Sequence, residues 1–190
     1  ELEPHYAIAH SNLGLIFRDL GKLKEAELSL RKAIELEPNF ANARLNLGRI
    51  LKDLGQLKEA ELFIRKAIEL NPNFTSAYFS LSTLKYTNES NLWINKLFSK
   101  NFLNNKNLQD QINIYFARAN VLHNDKKYQE SSKCLEVANK LKLNIKKSQS
   151  EYRINKSNKL LIETNKREIS KKKSTNYPQS IFIVGMPRSG

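Results

Sequence analysis

Leu15–Pro38 reads LIFRDLGKLKEAELSLRKAIELEP, and Arg49–Pro72 reads RILKDLGQLKEAELFIRKAIELNP. The two align without a gap. Gly14 matches Gly48, Gly21 matches Gly55, Ala26 matches Ala60, Ala33 matches Ala67 and Pro38 matches Pro72, all at one common offset. A unit of that length is one helix pair, too small to bury its own apolar face, so successive units must stack into an all-α solenoid. Leu13, Leu15, Phe17 and Leu20 supply the apolar contacts of a first helix. Gly14 carries no side chain, which lets a neighbouring helix approach. Gly21 falls where the chain must reverse, in a left-handed conformation that glycine tolerates. Ala26, Leu30, Ala33 and Ile34 then recur at i, i+4, i+7 and i+8, the inner stripe of a second helix. Pro38 ends the unit because it lacks the N–H that a helix interior needs, and Asn39–Ala43 opens the next.

At nearly every signature position of these two units, and in their spacing, the chain resembles the tetratricopeptide repeat (TPR) family. Residues 1–72 are therefore read as regular repeats. Glu1-Leu2-Glu3-Pro4 equals the ending Glu35-Leu36-Glu37-Pro38, so the array is expected to begin further upstream. The opening residue is Glu1, not Met, and the chain is expected to be an internal piece of a longer protein.

Residues 73–145 read as degenerate repeats. Thr75–Tyr86 fits a first helix with Ala77, Leu81 and Leu84 in phase, but Ser82 replaces the small glycine and Lys85 stands where an apolar residue is usual. Asn91–Phe102 fits a second helix without its alanines, packed through Trp93, Leu97 and Phe98, and Asn104–Gln109 reads as a loop. Gln111–His123 is a clearer first helix, with Ala119 at the glycine position, and Leu135 and Ala138 continue its partner. Ser150–Ile169 is one more amphipathic helix within a capping or connecting segment, residues 146–170. A solenoid needs such an end because its last unit otherwise leaves an apolar face open.

Charge is unevenly placed. Residues 1–72 carry 11 basic and 11 acidic side chains, so the whole net charge of +13 falls on residues 73–190. A basic region of that kind can attract anions, but no aromatic residues are interleaved in a single-strand-binding pattern. No nucleic acid partner is expected. No apolar run approaches the ~18 residues of a membrane span, so no membrane partner is expected either. Cys134 is the one cysteine. It reads as a small packing residue, and the absence of any intrachain disulfide fits a reducing cytoplasm. His5, His10 and His123 show no metal-ligand spacing, and no metal site is assigned.

First helices line the groove of a stacked-hairpin solenoid, so their exposed positions are candidates for binding. Asn12 and Asn46 lie one repeat apart, just before Leu-Gly in each unit. A side-chain amide both donates and accepts, which suits pairing with an extended peptide backbone. The pair resembles the asparagine ladder of O-GlcNAc-transferase-type repeats. In later units Ser80 and Ala117 take that place. The basic-plus-asparagine clamp that other such repeats use for a C-terminal carboxylate is not found at matching positions.

Residues 171–180 (KKKSTNYPQS) read as a linker. Ile181–Val184 follows as four β-favouring residues, the pattern of a buried parallel strand, and runs straight into Gly185-Met186-Pro187-Arg188-Ser189-Gly190. A buried strand feeding a Gly-bounded loop is the layout of a phosphate cradle. Residues 181–190 resemble the opening of the sulfotransferase family, whose first strand enters a loop of the form Gly-x-Pro-Arg/Lys-Ser-Gly-Thr-Thr. The resemblance implies a P-loop-like α/β domain and the cofactor 3′-phosphoadenosine 5′-phosphosulfate (PAPS). Gly185, Pro187, Arg188, Ser189 and Gly190 would bind it, with Arg188 neutralising the departing group and Ser189 and Gly190 donating backbone N–H bonds. The Thr residues that complete that loop, and any base for an acceptor hydroxyl, are not among these residues, so no sulfotransfer is expected of this chain alone. The G-x-x-x-x-G spacing also fits a P-loop NTPase, where Lys-Ser/Thr would come next. A third possibility is a non-enzymatic adaptor with an incidental strand. Helical repeats fused ahead of a sulfotransferase domain are a known bacterial arrangement, and the whole chain resembles one.

Overall fold

Leu, Ala, Glu, Lys and Arg dominate the second half of each regular repeat, and these are strong helix formers. The computed structural model describes residues 4–84 and 92–171, with side chains at 6–84, 92–145 and 152–159. The first unit is α1 (Pro4–Asp19) and α2 (Leu23–Leu36), and the second is α3 (Ala41–Asp53) and α4 (Leu57–Leu70). Each first helix packs on its own second helix, and α2 packs on α3 to join the units. No strand occurs among the described residues. The described chain is thus an all-helical TPR-like solenoid, and none of its described helices is long and apolar enough to cross a membrane.

The repeated small residues do what their spacing requires. A Cβ at Gly14 would lie 2.7 Å from Leu30 Cγ, and one at Gly48 would lie 2.5 Å from Ile64 Cγ1. Both glycines are contact points between paired helices. Gly21 and Gly55 adopt φ of 75° and 80° at the reversals. There the Gly21 N–H donates to Arg18 O and the Lys22 N–H to Phe17 O, and Gly55 and Gln56 repeat the pattern on Lys52 and Leu51. Ala26, Leu30 and Ala33 are buried with their counterparts Ala60, Ile64 and Ala67, as the stripe predicts, and Leu45, Leu47, Ile50 and Leu51 complete the core. Each buried Leu or Ile contributes about 1.5–3 kcal/mol relative to exposure.

Leu13 and Leu20 do not pack as the spacing suggests. Leu13 is 39% exposed and Ile16 is 56% exposed, whereas their counterparts one repeat on, Leu47 and Ile50, are fully buried. In the second unit that face meets α2. In α1 the matching face has no helix before it among the described residues.

The third unit departs further. The first helix read over Thr75–Tyr86 is shorter, α5 (Thr75–Ser82), while Lys85 and Tyr86 lie outside the described residues. The second helix read over Asn91–Phe102 is broken into α6 (Leu92–Phe98) and a 3-10 turn at Lys100–Leu103. Trp93 and Leu97 are buried, but Phe98 is part exposed beneath the Arg118 guanidinium. Residues 104–107 form the loop, and α7 (Leu108–Asn124) starts earlier than its apolar pattern. Asn107 is the reason: its side chain accepts from the Asp110 N–H at 2.8 Å and caps the helix. α5 packs mainly on α7, not on α6. Polar bonds replace the glycine contact there. Asn120 Nδ2 donates to Ser82 Oγ at 3.0 Å, Asn113 Nδ2 donates to Thr75 Oγ1 at 3.3 Å, and the Thr75 hydroxyl bonds to Asp110.

The helix read at Ser150–Ile169 is not separate. It belongs to α8 (Tyr128–Lys171), because no Gly or Pro interrupts that stretch. Near its start Ser131 Oγ donates to Ala119 O at 2.9 Å, and Ala138 is buried. Residues 1–145 form one compact unit and 146–190 another. In the second unit the described side chains, residues 152–159, are exposed. Ile181–Val184 and the following loop lie outside the described residues.

Candidate peptide-binding face

Three first helices, α1, α3 and α5, present matching rows of side chains at one-repeat intervals: Asn12, Asn46 and Ser80; Leu15, Arg49 and Thr83; Arg18 and Lys52. Side chains three apart on a helix share a face, so Asn46, Arg49 and Lys52 on α3 lie along one line. Two cross-helix bonds tie α3 to α5 on this face. Arg49 Nε donates to Ser80 Oγ at 3.0 Å, and Lys52 Nζ donates to Thr83 Oγ1 at 2.9 Å.

Asn12 is exposed and Asn46 half-buried, and neither amide makes a hydrogen bond among the described residues. Ser80, next in the row, is 8% exposed and taken up by Arg49. Ala117 is fully buried in α7. The amide row is therefore two residues long, on α1 and α3.

Arg49 is half-buried. Burial pushes its guanidinium below the usual arginine range, and repulsion from Arg18 pushes the same way. That repulsion brings α1 into the same electrostatic neighbourhood. Arg18 itself donates to its neighbour Asp19, from Nη2 at 2.9 Å. No carboxylate lies within ion-pair distance of Arg49 among the described residues. Matching positions between units passes over Arg49, because Leu15 occupies its place in the first unit. The legible signal is the departure of the second unit from the first.

A second concavity, about 870 Å³, lies between α4, α5 and α6, lined in part by Lys58, Leu62, Arg65, Ile68, Trp93 and Lys96. It opens where α6 fails to take the usual second-helix place. Cys134 is half-buried on α8, and burial raises its thiol pKa. A thiol held protonated is a poor nucleophile. The loop residues Gly185, Pro187, Arg188, Ser189 and Gly190 lie outside the described residues.

Residues 17–84 match the family model described as tetratricopeptide repeat. No match emerges among curated proteins. Among solved structures, the crystal structure of MamA aligns with TM-score 0.54 and 20% identity, over 76% of this chain and 83% of that one. The MamA RS-1 ArsTM double mutant aligns with TM-score 0.51 and 18% identity, over 76% and 78%. The first TPR of Spaghetti (RPAP3), solved bound to the HSP90 peptide SRMEEVD, aligns with TM-score 0.45 and 18% identity, over 70% and 96%. That overlap is too loose to carry a ligand across, and likenesses at such low identity speak to fold alone. In sequence, residues 17–84 are similar to tetratricopeptide repeats, and in fold the described residues form a TPR-like helical solenoid.

Proposed function

We propose that this chain is a cytoplasmic scaffold that holds an extended segment of a peptide or protein along the α1–α3–α5 face. One observation carries the reading. Asn12 and Asn46 stand one repeat apart on neighbouring first helices, with both amides unengaged among the described residues. Each can donate to a backbone carbonyl and accept from a backbone N–H of a bound strand. The test is a displayed random-peptide selection against the wild-type chain, followed by affinities for the double variant Asn12→Ala, Asn46→Ala. A selected binder should lose roughly five- to thirtyfold, as one or two hydrogen bonds of roughly 1 kcal/mol each require. Unchanged affinity across several independent binders removes the ladder.

The scaffold is further proposed to serve a sulfotransferase that uses PAPS. What supports this is the resemblance of Ile181–Gly190 to the opening strand and phosphosulfate loop of that family. In that reading the backbone around Gly185, Ser189 and Gly190 cradles the phosphosulfate, Pro187 shapes the loop and Arg188 meets the charge that develops on the departing phosphate. Reading the codons that follow Gly190 is the direct test. Thr-Thr supports the sulfotransferase, Lys-Thr or Lys-Ser an NTPase, and a stop codon the adaptor.

A further inference from the structure

The arginines of the regular repeats are provided for in two different ways. On second helices they meet carboxylates. Arg31 reaches Glu27 at 2.8 Å and Glu59 at 2.7 Å, and Arg65 reaches Glu61 at 2.7 Å. Arg44, near the start of α3, closes on the Pro38 carbonyl through Nε and Nη2. Arg118 on α7 closes on the carbonyls of Leu97 and Ser99. Among the described residues, Arg49 has only the neutral hydroxyl of Ser80, through Nε. A guanidinium carries five N–H donors in a planar fork suited to a carboxylate. Half-burying it without an anion costs free energy that a bound carboxylate would recover.

The neighbouring charges do not supply that anion. Asp19 is engaged by Arg18, and Asp53 is exposed at the end of α3 with no ion pair among the described residues. Lys52 is turned toward Thr83 and adds a second positive charge one turn along from Arg49. Arg18, paired with Asp19 on α1, adds a weaker positive influence. The amides of Asn12 and Asn46 lie beside this cluster, in the adjoining row.

We infer that the peptide held on this face is acidic, with a side-chain carboxylate received by Arg49 and further negative charge favoured by Lys52 and Arg18. The inference rests on the proposed peptide-holding role of the face and names its ligand class. The amides take the backbone and the guanidinium takes the side chain. Charge therefore selects among peptides that the amides alone would treat alike.

The probe is a fluorescein-labelled dodecapeptide of alternating glutamate and alanine, amidated at its C-terminus so that only side-chain carboxylates are present. Its twin has glutamine for every glutamate. Binding is read by anisotropy on the full chain at about 50 mM and about 300 mM salt, which bracket the usual screening range. The glutamate peptide should bind about tenfold or more tightly than its twin, and less so at the higher salt. Arg49→Gln should abolish that preference. Lys52→Gln should reduce it while adding no acid that could capture Arg49 from Ser80, and so keeps the test informative if Arg49→Gln lowers the melting temperature. Lys66→Gln, on α4 and paired with Glu69, should leave it unchanged.

Equal binding of the two peptides, a preference that survives Arg49→Gln, or no binding of the glutamate peptide overturns the inference. Competition by oligothymidylate at equal charge, relieved by Arg49→Gln, would also overturn it, in favour of a general polyanion site. The two readings fail separately. If both peptides bind equally and the double asparagine variant weakens both, the face holds peptides without reading charge. If Arg49→Gln acts and the double asparagine variant does not, the cation stands and the ladder falls.

Discussion

Gly48→Ala tests the close helix approach on which the repeat depends. The added Cβ would lie 2.5 Å from Ile64 Cγ1, 3.2 Å from Ile64 Cδ1 and 3.1 Å from the Ala60 carbonyl oxygen. Ordinary carbon–carbon contact lies at about 3.5–4.0 Å, so α3 and α4 must separate by several tenths of an ångström or Ile64 must leave its rotamer. Overpacking of this kind costs about 1–3 kcal/mol. Replacing a helical glycine by alanine returns about 0.8–1.0 kcal/mol through helix propensity. The net expectation is a loss of roughly 0–2 kcal/mol, the difference between those two terms. Ile64→Ala alone should cost about 2–5 kcal/mol, since Ile64 is fully buried. In the Ile64→Ala background the side-chain clash is gone, and Gly48→Ala should become neutral or stabilising. The double-mutant cycle should therefore show a coupling of about 1 kcal/mol or more, measured by urea denaturation followed by circular dichroism. Gly55→Ala is the control. Nothing lies within 4 Å of its added Cβ, but its φ is 80°, so it should cost about 1–2 kcal/mol by backbone strain and show no coupling to Ile64. A Gly48→Ala penalty that persists unchanged with Ile64→Ala would refute the close-approach reasoning.

Lys126 adopts φ 61° at the reversal where the regular units have Gly21 and Gly55. Lys126→Gly should stabilise the chain by roughly 0.5–1 kcal/mol, read as a rise in urea midpoint. Tyr78 is buried, its hydroxyl donates to Pro72 O at 3.0 Å, and burial pushes its pKa from 10.0 to about 12. Because the raised pKa belongs to the folded state, the Tyr78 contribution is fully present below pH 10 and is lost as pH rises toward 12. The stability advantage of wild type over Tyr78→Phe, about 1 kcal/mol at neutral pH, should therefore shrink across that window. An advantage that holds constant there rules the linkage out. Fusing a copy of residues 39–72 ahead of His5 should cover Leu13, Ile16 and Leu20 and raise stability by about 3 kcal/mol or more. An unchanged melting temperature would show that the α1 face does not stack.

What is legible in the sequence follows from which constraints are local. Gly14, Gly21, Ala26, Ala33 and Pro38 each act within one helix pair, so two matching copies are enough to read the fold through Pro72. The third unit is not legible in the same way because its partner choice is non-local. α5 takes α7 as its partner through Ser82–Asn120 and Thr75–Asn113, residues 38 apart and so beyond the period of the regular units. A search at the repeat period passes over that register. The continuity of α8 is hidden for a different reason. Its residues past Ala138 are mostly polar, so no apolar stripe carries the helical phase from Ala138 into the stretch read as a separate helix.

The binding face shows the converse. Positions that agree between units report on stacking, because every unit must solve the same packing problem. Exposed first-helix positions are released from that problem, and there disagreement carries the information. Asn12 and Asn46 stand out in the sequence because they agree. Arg49 does not, because it lies between Leu15 and Thr83 in its row. The structure distinguishes it from Arg31 and Arg65, which answer to carboxylates of their own helices or the next repeat. Among the described residues no acid neutralises Arg49 and only a neutral hydroxyl meets its fork, and this is why the proposed visitor is one that brings the charge.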